Sequence, residues 1–114
     1  MEKTDLLTTI FSHNLWANQR MLEECAKLSD EQLDATLSGT YGTIRDTLVH
    51  ITTAEQGYFS RVSTGQRFQR PENADPMTIP EMMEAIETTG KGFIEWAKKA
   101  QRREEPERNR HRAE

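Results

Sequence analysis

Residues 39–59 read GTYGTIRDTLVHITTAEQGYF, and the fold follows from how this stretch is punctuated and spaced. Thr43 stands three residues before Asp46, a capping box in which each side chain satisfies a free backbone N–H of a helix's first turn. From there Ile44, Leu48, Ile51, Glu55, Tyr58 and Val62 recur at steps of four and three, which predicts an amphipathic helix with that seam toward its neighbours. His50 is not on the seam. At about 100° per residue it lies well round to one side, bordered by Thr47, Ala54 and Gly57. Small neighbours leave room for something to approach an imidazole, so His50 is the candidate site residue.

The same punctuation repeats on both sides. Upstream, Leu7, Ile10, Phe11, Leu15, Ala17, Met21, Leu22 and Cys25 form one broad apolar stripe, predicting a helix over about 4–27. His13, Asn14, Trp16 and Asn18 sit inside it. Two asparagines so close together lower helix propensity, so each must either face solvent or bond to something inside. Ser29-Asp30-Glu31-Gln32 is a second capping box, opening a short turn that Leu33 and Leu37 pin to the core. Residues 38–42, SGTYG, then break the helix. Gly65 suits the C-terminal cap of the His50 helix, and residues 66–76 form a polar connection without periodicity.

Thr78 and Glu81 make a third capping box, with Pro80 in the first turn where its missing N–H costs nothing. Met82, Ile86, Phe93, Trp96, Ala97 and Ala100 carry the stripe of this last long helix. Gly90 and Gly92 each weaken it by about 1 kcal/mol relative to alanine, so a bend is expected there. Residues 102–114, RREEPERNRHRAE, hold Ala113 as their only aliphatic residue and carry Pro106 inside them. The expectation is a bundle domain over 1–101 and a charged, disordered tail over 102–114. No stretch alternates like a strand, so the class is all-α: an up-down helical bundle whose three long helices run up-down-up, with a fourth missing or degenerate.

Composition narrows the function. The chain has 114 residues, 15 basic and 19 acidic, for a net charge of −4. That balance argues against nucleic acid or an anionic membrane as a partner. One cysteine, Cys25, excludes an internal disulfide and suits a reducing cytoplasm; it is expected to be buried and inert. No apolar run could span a bilayer, and the N-terminus lacks the pattern of a signal peptide. No phosphate loop, Ser-His-Asp order or cysteine-rich zinc motif occurs.

Three segments together carry a resemblance: residues 11–18, FSHNLWAN; residues 28–33, LSDEQL; and residues 42–51, GTIRDTLVHI, with Glu55 one turn on. In this order and spacing they resemble the DinB/YfiT-like family, damage-inducible proteins built on a four-helix bundle. The resemblance covers residues 6–68 well and 78–100 in pattern only. It implies a divalent metal, zinc or nickel, held by three histidines. One of these falls at His50, and the other two form a His-x-x-x-His pair on a fourth helix. It also implies a metal-dependent thiol transferase, isomerase or hydrolase acting in stress response or detoxification on a small thiol or other small molecule, and a homodimer.

The chain departs from that pattern at its C-terminus. No His-x-x-x-His occurs; His111 resembles the last family histidine, but Glu107 stands four residues before it, and both follow directly on the third long helix. The expectation is a truncated or internally deleted member in which Glu107 and His111 are the only stand-ins for the absent ligands. The competing expectation is a catalytically silent domain that self-associates through an apolar groove left between three helices. Glu55 has two readings. It orients a ligand or serves as a base, or, the favoured reading, it is a structural carboxylate paired with Arg20, Arg45 or a first-helix asparagine. Trp16 and Tyr58 are expected in the core.

Overall fold

In a computed structural model the described residues are 4–36, 42–68, 70–71 and 74–113, with side chains described between residues 6 and 100. Four helices account for the architecture: α1 (Thr4–Cys25), α2 (Asp30–Leu33), α3 (Ile44–Thr64) and α4 (Ile79–Ala113). Among the described residues the only β-type pairing is an isolated antiparallel bridge between Thr36 and Thr43, across residues 37–41, which lie outside the description. The expected roles of Leu37 and the SGTY segment fall there. The all-α bundle is present.

Each start signal acts as its residue types dictate. Ser29 and Gln32 bond reciprocally, as do Thr43 and Asp46. At the head of α4 the Thr78 hydroxyl accepts from the Glu81 N–H at 3.3 Å while the Glu81 carboxylate accepts from the Thr78 N–H at 3.2 Å. Gly65 ends α3 at φ 76°, a left-handed conformation that glycine adopts without steric cost, and its N–H returns to the Arg61 carbonyl. Arg45 bonds Asp34 at 3.0 Å and Asp30 at 3.1 Å, tying the first turn of α3 to α2.

The bundle is organised on α4, against which both α1 and α3 pack. Leu15 lies at Gly90 and Phe11 stacks on Phe93, so α1 and α4 are antiparallel. Glu55 reaches Thr89 and Phe59 meets Phe93 edge-on, so α3 and α4 run parallel. The directions correct the up-down-up order: one helix runs up and two run down. Connector length permits this. Residues 65–78 reach roughly 45 Å when extended, whereas α3 is on the order of 30 Å long, so the chain can return along α3 before α4 begins.

Two hydrophobic clusters result. One joins Leu22, Leu33, Leu48, Met77, Ile79, Met82 and Ile86; the other is aromatic, with Phe93 between Phe11 (centroids 4.9 Å apart) and Phe59 (5.1 Å). Between them lies a polar layer. Glu55 Oε1 accepts from Asn14 Nδ2 at 2.7 Å and Asn18 Nδ2 at 3.3 Å, and Glu55 Oε2 accepts from the Thr89 hydroxyl at 2.6 Å. The short hydroxyl contact is in the range of charge-assisted bonds. One carboxylate thereby joins α1, α3 and α4.

The face that α3 buries is rotated from the one its apolar residues suggest. Thr52, at 1% exposure, takes the inner position, while Tyr58 (68%) and Val62 (41%) stand outside. A threonine is tolerated there because its hydroxyl bonds the Leu48 carbonyl at 2.9 Å, leaving its methyl for packing. Trp16 is 57% exposed, so neither Trp16 nor Tyr58 is a core aromatic. Trp16 instead lies against His13 on the outer side of α1, ring centroids 5.6 Å apart. Both aromatics are amphipathic enough to rest at a surface.

Gly90 and Gly92 do not interrupt α4, which is one continuous helix. They serve close approach. A Cβ on Gly90 would come within 2.6 Å of Leu15 Cδ1, and one on Gly92 would enter the Phe59 ring. The α4 backbone also runs on through residues 102–113, past the point where the apolar stripe stops. Arg and Glu are good helix formers, and elongation from a packed segment avoids the cost of nucleation. Among the described residues no helix is long and apolar enough to cross a membrane.

Two substitutions test this packing. Gly92→Ala improves intrinsic helix propensity but should lower stability in urea unfolding by about 1–3 kcal/mol, because Phe59 must move; a gain in stability would show that the close approach is not needed. Thr89→Val keeps the shape and removes the hydroxyl donor, and should cost about 1–3 kcal/mol, whereas Thr89→Ser should cost clearly less. Equal losses for the two would mean that the methyl, not the bond to Glu55, matters.

Candidate functional site

His50 stands on the solvent side of α3, and the exposed ring lines three concavities at once. The first, about 690 Å³, lies between α3 and the returning connector, with Arg45, Asp46, Arg70 and Asp75 among its walls. The second, about 660 Å³, lies between α1 and α3 over Ile10, Phe11, Ile51, Tyr58 and Phe93, with Asn14, Asn18 and Glu55 as its polar residues. The third, about 460 Å³, adds Arg61, Arg67 and Phe68 along the outer edge of α3. Ala54 borders the second and third, and Gly57 the third, as their small size suggested; Thr47 lines none of them.

His50 is two residues, about 200°, from the buried Thr52, and so faces away from the core. The extra contribution of structure is the connector. Arg70 donates to the Asp75 carbonyl, which closes the far wall of the first concavity with residues that had no periodic signal.

Glu55 is a structural carboxylate of the favoured kind, held by the two asparagines of α1. Arg20 and Arg45 are engaged elsewhere: Arg20 lies near Glu23 and Glu24, and Arg45 pairs with Asp30 and Asp34. Thr89, the third partner, carries no sequence signal. Its relation to Glu55 exists only once α3 and α4 are parallel and in register. Glu55 also lines the second concavity together with His50, so the structural role and access to a ligand coexist.

Among the described residues no three His, Cys, Asp or Glu side chains converge as a metal-binding group. A closed zinc centre takes four protein donors and a catalytic one commonly three, and His50 is one. The side chains of Glu107 and His111 lie outside the description. Their backbone positions are nevertheless informative. Thr89 is level with Glu55, and at about 1.5 Å per residue position 111 is roughly 30 Å farther along α4, in the direction away from His50. On a continuous α4, positions 107 and 111 cannot meet His50 within one molecule. Cys25 is half-buried; burial first and Glu24 second push its thiol up, which disfavours the reactive thiolate.

Comparison with curated proteins gives no match, and comparison with solved structures gives none. The sequence does match the model of the DinB family, over residues 1–114. A bundle of this kind, with the GTIRDTLVHI segment at the head of α3 and coverage of the whole length, places the chain in the DinB family.

Proposed function

We propose that the chain is a metal-dependent enzyme scaffold of the DinB type, with His50 as the protein ligand it contributes to a zinc or nickel ion. The observation that carries this reading is the position of His50 in the family segment, on a helix edge where three concavities meet. A bound divalent ion would supply Lewis acidity, lowering the pKa of a coordinated thiol or water. The chain's own residues do the rest. Ala54 and Gly57 leave the imidazole approachable, while Ile10, Ile51 and Phe93 give the second concavity an apolar wall that orients a small thiol or similar substrate. The remaining ligands come from another molecule. Such chemistry belongs to stress response or detoxification in the cytoplasm.

A second reading, self-association without catalysis, is supported by one specific observation. Leu6 (65% exposed), Ile10 (52%) and Val62 (41%) are large aliphatic side chains left open to solvent on α1 and α3. Covering them with a second copy would recover hydrophobic free energy of roughly 25 cal/mol per Å² of apolar surface.

Two measurements decide between these readings. Isothermal titration with zinc and with nickel should give submicromolar binding that is lost in His50→Ala and kept in His13→Ala. Absence of binding by either ion to the intact protein would end the metal reading. Sedimentation velocity should find a dimer at micromolar concentration that Ile10→Arg dissociates, and a monomer throughout that range would remove self-association.

A further inference from the structure

The concavity between α1 and α3 carries an imbalance that neither the metal nor the dimer reading uses. Its walls are apolar, yet Glu55 brings a carboxylate to it. All three partners of that carboxylate are neutral donors: two amides and a hydroxyl. An ionised carboxylate offers about four acceptor positions, so one is left over. No ion pair joins Glu55 to a basic side chain among the described residues. Among the described residues the negative charge is therefore hydrogen-bonded but not neutralised. Oε2 lies toward α4, with Thr89; Oε1 lies with Asn14 and Asn18, which line the same concavity. The Asn18 bond, at 3.3 Å, is the longest of the three and the easiest to exchange.

We propose that this concavity binds a small primary amine with an apolar body, its ammonium on Glu55 and its body against Ile10, Ile51 and Tyr58. Charge supplies the selection. An ammonium neutralises the carboxylate, and a bond between two opposite charges is stronger than the amide bond it displaces, whose donor is neutral. Asn14 and Asn18 keep their carbonyl oxygens as further acceptors for its remaining N–H groups. The third concavity is flanked by two guanidinium groups, Arg61 and Arg67, and repels the same cation, whereas the first balances Arg45 and Arg70 against Asp46 and Asp75. The volume, about 660 Å³, is ample for a ligand of this class. The inference is independent of any ion at His50.

The test is a titration of the full chain, followed by NMR, with 2-phenylethylammonium, the neutral 2-phenylethanol and the anionic 3-phenylpropionate. The side-chain amide signals of Asn14 and Asn18 should shift and saturate with the ammonium. Its dissociation constant should be about ten- to a hundredfold lower than that of the alcohol, and the carboxylate should bind weakest. Glu55→Gln should make the ammonium and the alcohol equal, with circular dichroism verifying that the variant is folded. Ala54→Leu, which leaves Glu55 and its partners in place, should weaken both ligands alike by narrowing the concavity. Equal binding of ammonium and alcohol to the unaltered protein overturns the proposal. So does a preference that survives in Glu55→Gln, or occupation of the concavity by a second copy that the ammonium does not displace. Zinc or nickel binding in the Glu55→Gln variant should be unchanged, so the amine and metal readings can fail separately.

Discussion

A single carboxylate, Glu55, receives donors from Asn14 and Asn18 on one side and Thr89 on the other. Everything else in the bundle is arranged to make that meeting possible. The partners sit on α1 and α4, so the bonds form only when all three long helices are in one relative register. A hydrophobic seam by itself is more forgiving, because apolar side chains can slide a fraction of a turn and still be covered. A half-buried carboxylate cannot, since each missing donor leaves desolvated charge. The apolar clusters on either side provide the driving force, and the polar layer selects one alignment among those the clusters would accept.

The Thr89 hydroxyl illustrates how finely this is set. It lies within bonding distance of Glu55 Oε2 and of two backbone carbonyls of its own helix, at 3.1 Å to Ala85 and 3.4 Å to Ile86. One hydroxyl has one proton, and the shortest contact is to the charged acceptor. With the proton directed there, the ordinary back-bond of a helical threonine gives way to a bond between helices.

Much of this was legible in the sequence, and what was not has identifiable causes. Caps at Ser29, Thr43 and Thr78 are set by residues three positions apart, so short-range pattern suffices. The angular position of His50 on α3 is local as well, and the ring lines three concavities there. The buried face of α3 was missed by about one residue because Thr52 looks polar and Tyr58 looks apolar, whereas burial depends on where a hydroxyl can be satisfied. Trp16 went the same way. Gly90 and Gly92 read as weak points in an isolated helix; only the positions of Leu15 and Phe59 reveal them as contact points. The parallel course of α3 and α4 depends on a connector with no periodic signal, and with it the Thr89 contact was out of reach.

The central place of α4 bears on the order in which the chain can assemble. Neither α1 nor α3 has its main packing partner until the segment beginning at Ile79 is available. Short-range helices can flicker into being early, but the contacts that reward them bridge most of the polypeptide, and loop closure of that span slows the search. Until that segment packs, α1 and α3 are a pair of amphipathic rods with uncovered stripes, the kind of exposed apolar surface that makes partly folded chains prone to aggregate.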